Sequence, residues 1–399
     1  FRMEMPGGAP GYTDLKMYIN HAIDLDGRRV PSDDLRKELI EFVGLAKRKL
    51  IFNVFDFDSM EVADALIAAK ARGVDVVGGI DGGVIAARPE VKAVYDRLRA
   101  AGIPIQAVDS VGLNHQKLMA IDWDVPGEGR VSMLSGNYTD SCIGGLGDAT
   151  RFPDRFSAED LRRAIPNANH MITLRSDPLA ILVHHELTKT VDPAFALRGR
   201  EYPLSGAFQI FGGGPPRDRK WMMMAFTPNG GLKNINQNFI GRILRQTRGP
   251  VLTAQFAASS PEVEEALLER AALEIAEGKE FQFLSVGDKP FAMQDWSMFL
   301  SMSDYKLVRL ETAKGYVELT GDEGKWGKRL GQRRLEELRK QIRVAPDVYG
   351  TFVAQTPQGP TQITAKLHHK IMVSGRVAIG GSFNFSVGAE NNQEYIFAF

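Results

Sequence analysis

Cysteine is almost absent from this chain. Cys142 stands alone among 399 residues, so no intrachain disulfide can form and no cysteine-based zinc site exists. An excess of charge of one sign is also missing, because 49 Lys and Arg balance 49 Asp and Glu. That removes a general electrostatic drive toward nucleic acid, while leaving room for a local basic groove. No run of 18 apolar residues occurs, which excludes a membrane-spanning helix. The chain opens at Phe1 without an initiating Met. This reads as loss of an upstream segment such as a signal peptide, as in a secreted or periplasmic protein.

What is present suits a large folded body. Hydrophobic residues make up 44% of the chain and charged residues 25%, enough for a substantial core and for two domains. Two stretches repeat one order of elements. In 47–81, the apolar strand Leu50–Phe55 leads through a turn to a helix carrying Val62, Leu66 and Ile67, then to the strand "VDVVGGI". In 248–288, "VLTAQFA" leads to Ser260-Pro261, a helix start, then to a helix and the strand "FQFLSV". The offset is close to half the chain. The expected division is 1–200 and 201–399, with the Gly- and Pro-rich stretch 197–220 at the junction and an insertion at about 289–350.

Each β-α-β unit is followed by the same polar set. The first copy has His115 and Lys117, then Ser135 and Asn137; the second has His368 and Lys370, then Ser382 and Asn384. His-to-Asn spacing is 22 in the first copy and 16 in the second, and the loop "DWDVPGEGR" absorbs the difference. A constellation that recurs at matched positions is far more specific than either copy alone. On a strand, His and Lys two apart share a face, so His369 and Gln116 point the other way. The set offers two titratable imidazoles, two cations and two amides. That suits a phosphodiester: one His attacks phosphorus, the other gives and takes the proton, and the Lys and Asn side chains stabilise the equatorial oxygens without a metal or cofactor. A nucleophilic His needs an acceptor on its other nitrogen. Counting along each copy gives Glu394 and Asp148 as the orienters.

These residues resemble the phospholipase D superfamily, whose signature is His-x-Lys-x4-Asp followed by Gly-Ser-x-Asn. The first copy reads His115, Lys117, Asp122, Ser135 and Asn137, with Leu134 where Gly is usual. The second reads His368, Lys370, Gly381, Ser382 and Asn384, with Gly375 where Asp is expected. The resemblance implies an α/β fold: two pseudo-symmetric α-β-α sandwich lobes with one active site at their interface. It implies a phosphohistidine intermediate, with His115 as nucleophile and His368 as acid and base. It also implies that the Asp missing at Gly375 is structural. Ser135 and Ser382 are expected at the substrate. The expected substrate is a glycerophospholipid, hydrolysed or transferred to an alcohol by a monomer touching the membrane surface.

The rivals are a nuclease of the same superfamily, toward which "GSFNFSVGAENNQE" leans, and a non-catalytic binding protein. Intact His, Lys and Asn in both copies argue against the second. His184 and His185 sit together in an apolar helix and face different directions, which suits packing better than metal binding. The basic run 328–343 places Leu335, Leu338 and Ile342 on one side, as an amphipathic helix does. "FAMQDWSMFLSMS" (291–303) in the insertion is the candidate apolar wall for an acyl chain. The first copy closes with the strand "HMITLRS" and the helix "DPLAILVHHELTKTV"; the second stops after "EYIFAF", so a longer native chain is expected.

Overall fold

Leu50–Val54 is buried on both faces and apolar except for Asn53, as expected of a parallel strand in a covered sheet. The computed structural model describes residues 2–4, 11–20, 23–25, 28–30, 33–110, 112–144, 167–192, 207–211, 221–228, 235–292, 294, 296–302, 305–311, 316–321, 325–344, 351–356, 359–364 and 366–399.

The first lobe contains β1 (Thr13–Ile19), α1 (Leu35–Gly44), β2 (Lys49–Val54), α2 (Met60–Ala71), β3 (Asp75–Asp81), α3 (Pro89–Ala100), β4 (Ile105–Val108), β5 (Lys117–Ile121), β6 (Arg130–Leu134), β7 (His170–Arg175) and α4 (Asp177–Val191). Its sheet runs β1-β7-β6-β5-β2-β3-β4. β2, β3 and β4 pair in parallel, and the other neighbours are antiparallel.

The second lobe contains β8 (Ala207–Phe211), β9 (Trp221–Thr227), α5 (Ile235–Gln246), β10 (Val251–Gln255), α6 (Pro261–Ala276), β11 (Phe283–Gly287), α7 (Gln332–Gln341), β12 (Ile342–Val344), β13 (Lys370–Ser374), β14 (Val377–Gly381) and β15 (Glu394–Ala398). The order β9-β15-β14-β13-β10-β11-β12 repeats that of the first sheet strand for strand. β8 and, in parallel with it, Arg2–Glu4 extend the far edge. The chain therefore begins on the second sheet before it builds the first. Within the expected insertion, α7 and β12 occupy the places of α3 and β4, so they are part of the repeat. Extra in this lobe are the short helices Lys289–Ala292, Met298–Met302 and Lys325–Leu330 and the hairpins 305–321 and 351–364. In α7, Leu335 and Leu338 are buried and the basic side chains lie outside.

Helix starts follow the sequence signals. Asp34 accepts from the N–H groups of Arg36 and Lys37, and Ser176 and Ser260 cap α4 and α6 with Pro178 and Pro261 just inside. The first lobe buries Phe42, Phe52, Phe57, Leu66 and Tyr138 between sheet and helices. The second buries Phe239, Leu267, Phe283, Trp326 and Phe385. A third apolar cluster joins the lobes: Leu118, Met133, Ile172 and α4 residues from the first, Met222, Phe226, Tyr395 and Phe397 from the second. α4 covers the outer face of the first sheet. The equivalent face of the second is a groove of about 430 Å³ lined by Leu252, Leu284, Val286, Ile371 and Val373 among others. Among the described residues, no helix is long and apolar enough to cross a membrane.

Candidate active site

His115 and His368 each end a segment tied to the opposite lobe by the same set of bonds. The Gln393 N–H donates to the Leu113 carbonyl at 2.8 Å, as the Ala168 N–H donates to the Lys366 carbonyl at 2.8 Å. Asn392 Oδ1 accepts from the Leu113 N–H at 3.0 Å, and Asn167 Oδ1 accepts from the Lys366 N–H at 2.8 Å. Within each lobe an Asp at the end of the central parallel strand, Asp81 or Asp288, accepts from the backbone N–H just before the histidine. The pseudo-two-fold thus delivers the two histidines to one seam, both 7% exposed, with Lys117 and Lys370 fully buried beside them.

The orienters cross between lobes. Glu394, at the start of β15, places Oε2 2.8 Å from His115 Nδ1. Its equivalent at the start of β7 is Asn169, whose Oδ1 lies 3.0 Å from His368 Nδ1. The sequence count gives one orienter per copy. Glu394 lies against a histidine ring, but that of His115 in the other copy and not that of His368. Asp148 lies outside the described residues, and the place symmetric with Glu394 belongs to Asn169. The stretch between Cys142 and Asn169 lengthens the first copy, so a fixed offset from His115 stops short of it.

Ser135 and Ser382 do not face the seam. Ser382 Oγ donates to Glu394 Oε2 at 2.6 Å and accepts from the Tyr395 N–H at 3.1 Å. Ser135 Oγ donates to Asn169 Oδ1 at 3.0 Å and accepts from the His170 N–H at 3.0 Å. Both hydroxyls are fully buried and hold the orienters, which corrects the expectation that they bind substrate. Asn137 and Asn384 sit just beyond them, partly buried, each with an Oδ1 that is buried and takes no hydrogen bond from a described residue. Each amide carries an acceptor oxygen and a donor nitrogen, so either end can meet a ligand.

Aromatic rings flank both imidazoles. Phe55 follows β2 and lies 5.4 Å from the His115 ring; Phe256 follows β10 and lies 4.7 Å from the His368 ring. Lys117 and Lys370 stand 5.6 and 5.0 Å from the same two rings. Phe55 and Phe256 hold matching places in the repeat, a signal the sequence carried. His369 points away from the seam, as strand alternation requires, and meets His170 of the first lobe, Nδ1 to Nδ1 at 2.9 Å.

Burial dominates the electrostatics. It pulls His115 down to about 4 against the upward pull of Glu394. It holds Lys117 at about 7. His368 is pushed well below the usual imidazole value by burial and then by Lys370, Lys117 and His115, and Lys370 is pushed well below the usual lysine range. Each lobe's lysine acts on the other lobe's histidine, so the two triplets share one field. Burial disfavours charge on both lysines and both imidazoles, a penalty that a nearby anion would offset. Among the described residues, no three His, Cys, Asp or Glu side chains are grouped as a metal ion would need.

The signature Asp behaves as a structural residue. Asp122, at φ 49°, accepts from the N–H groups of Lys47, Arg48 and Lys49 at 2.8–3.0 Å. Gly375 holds the matching turn at φ 61°, where a Cβ would lie 2.2 Å from the Arg248 carbonyl oxygen. Arg270, paired with Glu274, reaches Ser374 and the Gly249 carbonyl beside that turn.

Residues 39–144 match the family described as cardiolipin synthase, PLD-like domain. Phosphatidylserine synthase of Haemophilus influenzae Rd KW20 superposes with a TM-score of 0.52 at 11% identity, over 96% of this chain and 81% of that one. Nuc of Salmonella typhimurium, a phospholipase D family member, gives a TM-score of 0.33 at 18% identity over 44% of this chain and 93% of that one. Polyphosphate kinase of Porphyromonas gingivalis gives 0.49 at 12% identity, over 96% and 47%. No curated protein sequence matches. Residues 39–144 thus resemble a PLD-like domain, and the two-lobed fold of the whole chain is similar to that of the Haemophilus structure.

Proposed function

We propose that this protein is a phosphodiesterase of glycerophospholipids that works through a phosphohistidine on His115. The His115 Nε2 lone pair attacks phosphorus while Glu394 holds the Nδ1 proton. The bond from phosphorus to the head-group oxygen breaks, and His368 Nε2–H gives that oxygen its proton. Lys117, Lys370 and the amide donors of Asn137 and Asn384 take the charge on the non-bridging oxygens. Water then enters where the alcohol left, gives a proton to His368 and attacks phosphorus, and the P–N bond breaks. An alcohol in place of water gives phosphatidyl transfer.

One observation carries the lipid reading. Trp296, 46% exposed, lies 6.2 Å from Phe291, which lies 4.3 Å from Phe256, which lies 4.7 Å from His368. This aromatic succession leads from the surface to the acid–base histidine, and most of it comes from the insertion. The matched family's description and the printed name of the Haemophilus structure also point to phospholipid chemistry.

The test offers the purified protein phosphatidylcholine or phosphatidylglycerol vesicles and, separately, single-stranded DNA, with EDTA present. Release of head group, lost in His115→Ala and His368→Ala, is expected. DNA cleavage without lipid turnover would replace this reading with a nuclease. No turnover of either, with both variants unchanged in ligand binding, would leave a binding protein.

A further inference from the structure

The two histidines are related by symmetry but their orienters are not, for one is a carboxylate and the other an amide. The amide's direction is fixed by its surroundings. Asn169 Nδ2 lies 3.2 Å from the Cys142 carbonyl and 3.0 Å from the Asn167 carbonyl, so that end is the donor. Oδ1 therefore faces Ser135 and His368, and His368 Nδ1 carries the proton it donates. Lys370 Nζ is 3.2 Å from Nδ1 and 3.1 Å from Nε2 of that ring. With Nδ1–H committed to Asn169, only Nε2 has a lone pair to offer, and it is the nitrogen left for chemistry.

We propose that Asn169 is a positioning residue: its amide oxygen, in place of a second carboxylate, fixes the His368 ring through Nδ1–H without stabilising positive charge on it, so the two histidines are chemically inequivalent. The inference rests on the acid–base role given to His368 above. The groups around that ring are mostly cationic: Lys370 and Lys366 on its own segment, Lys117 and His115 across the seam. The carboxylates Asp288 and Glu394 are bound instead to the Leu367 N–H and to His115. A ring so surrounded gives up its proton readily to a leaving alkoxide, and is neutral when water must be deprotonated. His115 acquires positive charge when it bonds phosphorus, and it is the ring that has the carboxylate. The asymmetry thus assigns the covalent role to His115 from this chain's own residues.

The experiment labels histidine with ¹⁵N in the full chain, which has seven histidines, and assigns two of them with His115→Asn and His368→Asn. At neutral pH, His368 is expected as the Nδ1–H tautomer, titrating below His115. Asn169→Asp is expected to raise the His368 midpoint by about one to three pH units and to leave His115 in place. The fall of kcat with rising pH moves upward with it, because His368 must hold a proton for the first step. Asn169→Ala lowers kcat more than it changes KM, and its His368 populates the other tautomer. A wild-type His368 in the Nε2–H form, or one titrating at or above His115, overturns the inference. So does an Asn169→Asp protein whose His368 midpoint stays put. Should Asn169→Asp fail to fold, because its second oxygen faces two carbonyls, the wild-type spectra alone decide. Absence of lipid turnover would count against the proposed substrate and leave the spectra untouched, so the two failures are separable.

Discussion

Glu394 belongs to the second lobe, and its carboxylate lies 2.8 Å from Nδ1 of His115 in the first. The reciprocal bond, in which His368 Nδ1–H donates to Asn169 Oδ1, makes each lobe incomplete without the other. Glu394 is also held by Ser382 Oγ and by Asn392 Nδ2, so its orientation is over-determined. Glu394→Gln keeps the shape and removes the charge that balances a phosphoimidazolium. Turnover should fall about 10²- to 10⁴-fold, the usual range for a lost acid–base partner, with KM little changed. Steady-state kinetics decide it, and a loss below about threefold would mean that His115 needs no counter-charge.

The covalent step can be isolated by the choice of leaving group. A p-nitrophenyl phosphodiester departs without a proton, so His368→Asn should still be phosphorylated on His115 but hydrolyse the adduct slowly. Mass spectrometry of rapidly quenched protein should find the adduct on the peptide containing His115. His115→Asn should show none. An adduct on His368 in the His115 variant would reverse the two roles.

How far the site was legible in the sequence depends on the distance over which each relation acts. Lys117 opens β5 with His115 two residues before it, and Asn137 lies three residues past β6, so one hairpin places them, as β13 and β14 do His368, Lys370 and Asn384. The repeat of β-α-β units was legible for the same reason, and it extends to α3–β4 and α7–β12 beneath the insertion. Relations across the seam were not legible. A count from His115 cannot know the length of the stretch that precedes Asn169, and no local pattern says that Glu394 reaches over to the other lobe. The serines misled because a hydroxyl two residues before a candidate site asparagine suits a ligand as well as it suits a neighbouring carboxylate or amide. Only the pairing of β14 with β15, and of β6 with β7, shows which it meets.

Variants of the aromatic succession test lipid against other diesters. Phe291→Ala and Trp296→Ala should raise the apparent KM for long-chain phospholipid in vesicles about 5- to 100-fold, since each ring contributes about 1–3 kcal/mol of apolar contact when buried by a ligand. Both variants should cleave a small water-soluble diester at the wild-type rate, because neither ring touches the His-Lys-Asn set directly. Equal losses on both substrates would make these rings supports of His368 through Phe256 and not a lipid wall.

The two turns after the His-Lys strands are not interchangeable. Asp122→Ala leaves three backbone N–H groups without their charged acceptor, and should cost about 1.5–3 kcal/mol in urea unfolding. Gly375→Asp would restore the signature residue yet destabilise the second lobe, because its Cβ meets the Arg248 carbonyl. A Gly375→Asp protein as stable as wild type would show that this turn can open.

Anion binding should carry the titration of Lys117. Burial holds this lysine down to about 7, with Glu394 opposing the effect. A depressed lysine is charged below its midpoint and neutral above it, so the attraction for an anion is present at low pH and lost as pH rises through about 7. Lys370 is shifted in the same direction. Sulfate keeps its own charge over this range and serves as the probe. Its affinity, measured by calorimetry, should fall as pH rises through that midpoint, and binding near the midpoint should draw protons from the buffer, since a bound anion restores charge to the lysine. Lys117→Met should weaken sulfate binding and remove the step in its pH dependence near 7, leaving the part that Lys370 carries. Affinity that is flat across the midpoint, with no proton uptake, would mean that Lys117 stays charged in the seam, and that Glu394 outweighs burial there.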